Sequence, residues 1–192
     1  TLHCSKTSLP LAASPTLSAA ATGHAASNAA VLERTIHFRM PLVYNFPMRP
    51  VIILFAKAPV AGRVKTRLIP RLSPASAAAL HTAFVWDLIQ RLQALSAVAD
   101  LELHTDVETD AWSAAGIFQT LQGEGDLGLK MLQATHTALS QGRLAAMIAG
   151  TDAPTVPLGH LEYLLRSDSD VALGPTEDGG FYAVSCRKVS PR

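Results

Sequence analysis

From Val51 onward, short apolar runs alternate with longer stretches whose hydrophobic residues recur every three or four positions. Val51–Ala56 is a brief continuous apolar run, as expected of a strand buried on both faces. Ser73-Pro74 supplies an N-cap and a first-turn proline for a helix reaching to about Leu95. Its apolar positions Leu80, Phe84, Leu88, Leu92 and Leu95 give it one face to lay on a sheet. Further strands are predicted over Val98–His104, Ile117–Leu121, Leu144–Ala149 and Val171–Leu173, with a weakly alternating candidate at Phe181–Ser185. Between them the spacing predicts helices over Leu127–Ser140, closed by Gly142, and over Leu158–Leu165. Strands alternating with helices imply an α/β fold with a mostly parallel sheet and right-handed crossovers. There is no internal repeat.

Residues 1–47 break this pattern. They are rich in Ala, Ser, Thr and Pro, Glu33 is their single acidic residue, and their hydrophobic spacing has no sustained period. Such a segment buries too little apolar surface to offset its ordering entropy, so a disordered extension is expected. A start assigned too early gives the same pattern, because Met48-Arg-Pro directly precedes the first strand. An organellar transit peptide shares the acid-poor composition. The folded domain is therefore expected over residues 48–192, long enough for one α/β core.

A formal net charge of +1 excludes a nucleic-acid binder that relies on bulk electrostatics. The cations are nonetheless clustered at Arg63, Lys65, Arg67 and Arg71, which points to a local anion. Cys4 and Cys186 form neither a disulfide framework nor a zinc spacing, so a reducing cytoplasm is the expected compartment. No apolar run approaches the ~18–20 residues of a membrane-spanning helix.

Ligands of open α/β sheets sit beyond the carboxyl ends of the strands. The segment Phe55-Ala-Lys-Ala-Pro-Val-Ala-Gly-Arg-Val-Lys-Thr-Arg-Leu68 leaves the first strand on that rim. Gly62 lets backbone approach an anion, and Arg63, Lys65 and Arg67 offer forked or point-charge contacts to phosphate oxygens. It is not a Walker A loop, because Val64 stands where glycine must precede Lys-Thr. A solvated basic loop is the plainer reading. Asp152, in Gly150-Thr-Asp-Ala-Pro154, follows another apolar strand and offers one carboxylate to a hard cation. A turn aspartate is its alternative. Asp178, beside Glu177 and before paired glycines, is a second carboxylate on the rim or a plain turn residue. The loop Gln122-Gly-Glu-Gly-Asp-Leu-Gly128 brings Gly125 and Asp126 to a helix N-terminus that can receive an anion or the edge of a base, unless Asp126 only caps the helix. Among the seven histidines, His81 is placed near this site; His3, His24, His37, His104, His136 and His160 have no metal-ligand spacing. There is no G-x-S-x-G elbow, and Cys186 reads as core or surface rather than nucleophile.

These segments, together with Leu80-His-Thr-Ala-Phe84 and Leu173-Gly-Pro-Thr-Glu-Asp-Gly-Gly-Phe181, resemble in order and spacing a bacterial glycosyltransferase A-like family, some of whose members are named for arsenosugar biosynthesis. The match runs from about Arg49 to Ser185. It implies the three-layer α/β/α GT-A-like fold of the nucleotide-diphospho-sugar transferases. By resemblance, Lys57, Arg63, Lys65 and Arg67 are phosphate ligands, Asp152 takes the place of the metal-binding Asp of a DxD-type element, and Asp178 is a second acidic site residue. The chain departs from the family pattern at Ala61 (usually proline), Leu129-Lys130 (usually Glu-Arg) and Phe181 (usually tyrosine). Family members continue past the position of Arg192, so an incomplete C-terminal side is expected.

The resemblance implies a metal-dependent transferase that uses a nucleotide-activated sugar, Mg²⁺ or Mn²⁺ and a small-molecule acceptor. A nucleotidyltransferase taking a nucleoside triphosphate and releasing pyrophosphate is the second expectation. A non-catalytic nucleotide-binding module is the third.

Overall fold

The computed structural model describes residues 48–188. The expectations for residues 1–47 lie outside the described residues. Six strands form one sheet: β1 (Val51–Ala56), β2 (Asp100–Thr105), β3 (Phe118–Leu121), β4 (Ala146–Gly150), β5 (Val171–Pro175) and β6 (Phe181–Cys186). Three helices connect them: α1 (Pro74–Leu92), α2 (Leu127–Ser140) and α3 (Leu158–Arg166). The strand order is β3-β2-β1-β4-β6-β5. β1 pairs in parallel with β2 and β4, and β2 with β3. β6 runs antiparallel to both β4 and β5. The fold is thus α/β, with a mostly parallel sheet between helical layers.

Alternation along the strands divides the core in two. Ile52, Leu54, Ala56, Leu103, Met147 and Ala149 face α1 and α3, packing on Val85, Leu88, Ile89, Leu92, Leu161 and Leu165. Val51, Ile53, Ala146 and Ile148 face the other way, toward Ala138 of α2 and its neighbours Met131 and Leu139. β1 and β4 are buried on both faces because each lies between two strands and under helices on either side, which is why they read as unbroken apolar runs.

Several boundaries differ from the sequence reading. α1 ends at Leu92 and tightens into a 3₁₀ turn over Gln93–Leu95. β2 starts at Asp100, because the Val98 and Ala99 amides donate to the Leu95 carbonyl and spend those residues on a turn. β4 starts at Ala146; Leu144 is exposed. The buried stripe of α1 includes Ala77, Ala78, His81 and Val85, while Leu80 and Phe84 lie at its margin.

The parallel pairing sets the site. Phe55 is level with both His104 and Gly150, so the chains leaving β1, β2 and β4 depart side by side at one rim. Because β6 is antiparallel, the turn that enters it from β5 lies at that same rim.

Candidate active site at the carboxyl rim

The loop after β1 is held by polar anchors and one apolar peg. The Nε2 of buried His81 donates to the Lys57 carbonyl at 2.8 Å, a direction fixed because a carbonyl only accepts. The Ala58 amide donates to Oδ1 of Asp106 at 2.6 Å, which ties the loop to the chain leaving β2. Val64 is 3% exposed and plugs the loop onto the domain. Gly62 makes the turn before it at φ +81°, in the left-handed region that glycine enters without penalty. With Val64 inward, Arg63 and Arg67 point outward; both are exposed, as is Lys57. Among the described residues none of these three cations belongs to an ion pair. They are free to meet an anion.

Lys65 is different. Its φ of 47° makes it the one non-glycine residue among those described with a left-handed backbone, a conformation that costs roughly 1–2 kcal/mol. Strain of this kind persists where surrounding structure imposes it, often at functional sites. Its ammonium reaches Oδ1 of Asp152 at 2.7 Å, across 87 positions of chain. The same Nζ lies 5.1 Å from the ring centroid of Phe84 on α1, within cation–π range. The Lys65 side chain is 17% exposed and that of Asp152 is 88% exposed. The neighbouring Thr151 is buried, its hydroxyl directed at the Phe55 carbonyl at 3.4 Å, which fixes the β4 turn against β1. The loop cation and the turn carboxylate predicted separately thus meet at one point.

Asp178 sits exposed in the β5–β6 turn. Its Oδ1 accepts from the Thr176 hydroxyl and from the Gly180 amide. The Thr176 bond first, and the Gly180 amide second, hold its carboxyl below the usual carboxylate range. A carboxylate so held is a poor general base near neutrality and a good hydrogen-bond acceptor. Since the folded pKa is depressed, the turn's stabilisation is complete above the ordinary carboxylate pKa and fades as pH falls through the lowered value. The protection of the Gly180 amide against hydrogen exchange, taken relative to its intrinsic rate at each pH, should fall on acidification in the native protein, and Asp178→Asn should flatten that response.

Asp126 caps α2, its Oδ1 accepting from the Leu129 amide at 2.8 Å. Gly125 takes φ +101°, and a Cβ there would press within 2.6 Å of the Leu129 side chain. Leu129, one of the departures from the family pattern, therefore packs over the glycine of this loop. The thiol of Cys186 is half-buried, and desolvation raises its pKa, which disfavours the thiolate.

The carboxylate of Asp152 fits one kind of metal site. Mg²⁺ and its relatives take one or two protein carboxylates and complete their shell with phosphate oxygens and water. Among the described residues no three His, Cys, Asp or Glu side chains group as a possible cage. The donors suit a cation that arrives with phosphate, not one caged by the protein alone.

Sequence reasoning missed Asp106 and the role of Phe84. Asp106 follows β2 directly, so the rim argument that found Asp152 applies to it equally. Phe84 reads as part of the helix's core stripe, and only its contact with Lys65 distinguishes it.

The fold is that of the nucleotide-diphospho-sugar transferases. The chain superposes on a crystal structure from Desulfovibrio desulfuricans G20, provisionally named a nucleotide-diphospho-sugar transferase, with a TM-score of 0.64 and 31% identity. That likeness covers 72% of this chain and 63% of the Desulfovibrio protein, so the chain spans less than two thirds of its relative. A fainter likeness, with a TM-score of 0.46 and 15% identity, is to a CMP:2-keto-3-deoxy-manno-octonic acid synthetase complexed with CTP; it covers 65% of this chain and 51% of that one. No curated protein matches the sequence. The chain belongs to the family described as "Uncharacterized protein conserved in bacteria (DUF2064)", whose pattern matches residues 86–192. The match takes in Asp126, Asp152 and Asp178; the cationic loop precedes it. No helix among the described residues is long and apolar enough to cross a membrane.

Proposed function

We propose that this protein is a transferase of the GT-A-like type that binds a nucleotide-activated sugar at the carboxyl rim. The observation that carries the reading is the convergence of Lys65 and Asp152 at 2.7 Å, with Arg63 and Arg67 unpaired on the same loop. Arg63, Lys65, Arg67 and Lys57 grip the diphosphate, while Gly62 keeps the loop backbone close to it. Asp152 contributes the protein carboxylate to Mg²⁺ or Mn²⁺. A bound divalent cation neutralises charge that develops on the departing nucleoside diphosphate. Gly125 and the capped start of α2 lie beside the nucleotide, and Asp178 orients a hydroxyl of a small-molecule acceptor by accepting its hydrogen bond.

Four cations on one loop also suit the larger charge of a nucleoside triphosphate. Nucleotidyl transfer to a phosphorylated acceptor is therefore the second reading, and its product is pyrophosphate instead of nucleoside diphosphate. A thermal-shift panel of nucleoside mono-, di- and triphosphates and nucleotide sugars, each with Mn²⁺ or with chelator, separates the two. A Mn²⁺-dependent rise with one nucleotide sugar supports sugar transfer. A response confined to triphosphates moves the assignment to nucleotidyl transfer, and silence across the panel rejects both.

The phosphate grip has its own check. Arg63→Ala should weaken a nucleoside diphosphate about tenfold or more, as loss of a charge-assisted hydrogen bond implies, and leave the bare nucleoside almost unaffected. Equal losses for the two ligands would remove Arg63 from the phosphate site.

A further inference from the structure

We infer that Lys65 and the divalent cation exclude each other at Asp152, so that metal and phosphate bind this protein together and resist binding singly. The inference rests on the proposed nucleotide reading and adds the order imposed on its ligands. The Lys65 ammonium already neutralises the carboxylate proposed to take the metal, at 2.7 Å from Oδ1. A divalent cation placed on that carboxylate would stand next to a fixed positive charge, and the repulsion requires the ammonium to leave. Lysine suits the exchange. Its charge is compact and its stem flexible, and the Phe84 ring at 5.1 Å offers a second contact that does not depend on Asp152. The departing ammonium needs an anion, and the unpaired Arg63 and Arg67 mark where one would sit. Phosphate entering there draws Lys65 off Asp152 and opens the carboxylate to metal. Metal alone must break the ion pair with no anion to receive the lysine.

Two signs follow, and they are opposite. Removing the charge in Lys65→Met should tighten Mn²⁺ alone by up to about fivefold, the range released when a partly exposed ion pair no longer competes. The same substitution should weaken pyrophosphate measured with Mn²⁺. Because linkage is reciprocal, the factor by which Mn²⁺ and pyrophosphate strengthen each other should also shrink. A residue that only shaped the loop would lower both affinities.

The test is a set of Mn²⁺ titrations followed by electron paramagnetic resonance, with and without pyrophosphate. It uses the full chain in the native form and as Lys65→Met, Lys65→Gln and Lys65→Arg, with thermal midpoints confirming that each variant is folded. Both neutral variants should bind Mn²⁺ alone more tightly than the native protein, and Lys65→Arg, which keeps the competing charge, should not. Unchanged or weaker Mn²⁺ binding in both neutral variants overturns the inference. If pyrophosphate nevertheless binds the native protein in a Mn²⁺-dependent way that Asp152→Asn abolishes, the nucleotide reading stands without the exclusion. If Mn²⁺ binds no form of the protein, both fall.

Discussion

Asp152→Asn is expected to abolish the dependence of nucleotide binding on divalent cation while the apo protein melts within a few degrees of the native one. The two halves of that expectation have separate causes. Asparagine keeps the shape of the side chain and loses its charge. The Asp152 side chain is 88% exposed, so little packing depends on it. Its pair with Lys65 is of the partly solvated kind worth about 0–1 kcal/mol. Binding is another matter, because Asp152 is the one carboxylate at this turn and the described residues offer no cage of three metal-binding side chains. Altering residues that merely orient a metal's ligands costs 10–100-fold, so loss of the protein ligand itself should cost on the order of 100-fold or more. Isothermal titration of a responding nucleotide with Mn²⁺, and again with chelator, reads the effect directly. If the variant keeps a metal-dependent affinity within a few-fold of native, the cation is held elsewhere and the assignment of Asp152 is wrong.

How far the chain's own pattern leads to this site depends on what each residue's neighbours are. β1 and β4 are legible because burial on both faces leaves each an unbroken apolar run, and the ends of those runs place Lys65 and Asp152 on one rim. α1 is legible from Ser73, whose hydroxyl does accept the Ser76 amide at 3.0 Å. β6 is much fainter. Its Ala183 and Ser185 are buried beside half-exposed neighbours, and nothing local fixes its antiparallel direction. The start of β2 is misread because Val98 and Ala99 are as apolar as strand residues, yet their amides serve the turn after α1. The contact between Lys65 and Asp152 is beyond any local pattern. It exists because β1 and β4 are adjacent strands, although most of the described chain up to β4 lies between them. Arg143 shows the same limit from the opposite side. After Gly142 it looks like a solvated basic residue closing a helix, and only the folded sheet reveals it as buried.

That burial makes Arg143→Ala the most damaging single change expected outside the site. The Arg143 side chain is 1% exposed, and its guanidinium spans two carboxylates of β2: Nη1 donates to Asp100, and Nη2 to Glu102 at 3.1 Å. Asp100 also meets Arg49 at 3.3 Å, and Glu102 meets His104 at 3.2 Å. Truncating the arginine leaves Glu102, whose side chain is 13% exposed, without its main counter-charge. Removing one partner of a buried pair typically costs about 3–5 kcal/mol, because the remaining charge stays desolvated. For a domain of this size that corresponds to a fall in melting temperature of roughly 6–20 °C. The cause can be separated from simple loss of packing. If the stranded charge dominates, adding Glu102→Gln to the Arg143→Ala background should recover part of the loss, whereas the same change in the native background should destabilise. Two additive losses would mean that the network contributes through packing alone. The consequence reaches the rim, because β2 leads directly into Asp106, whose carboxylate holds the Ala58 amide at the root of the cationic loop. Arg143→Ala should therefore weaken pyrophosphate binding at temperatures well below its own melting transition, and Arg143→Lys, which keeps one charge without the fork, should fall between the two.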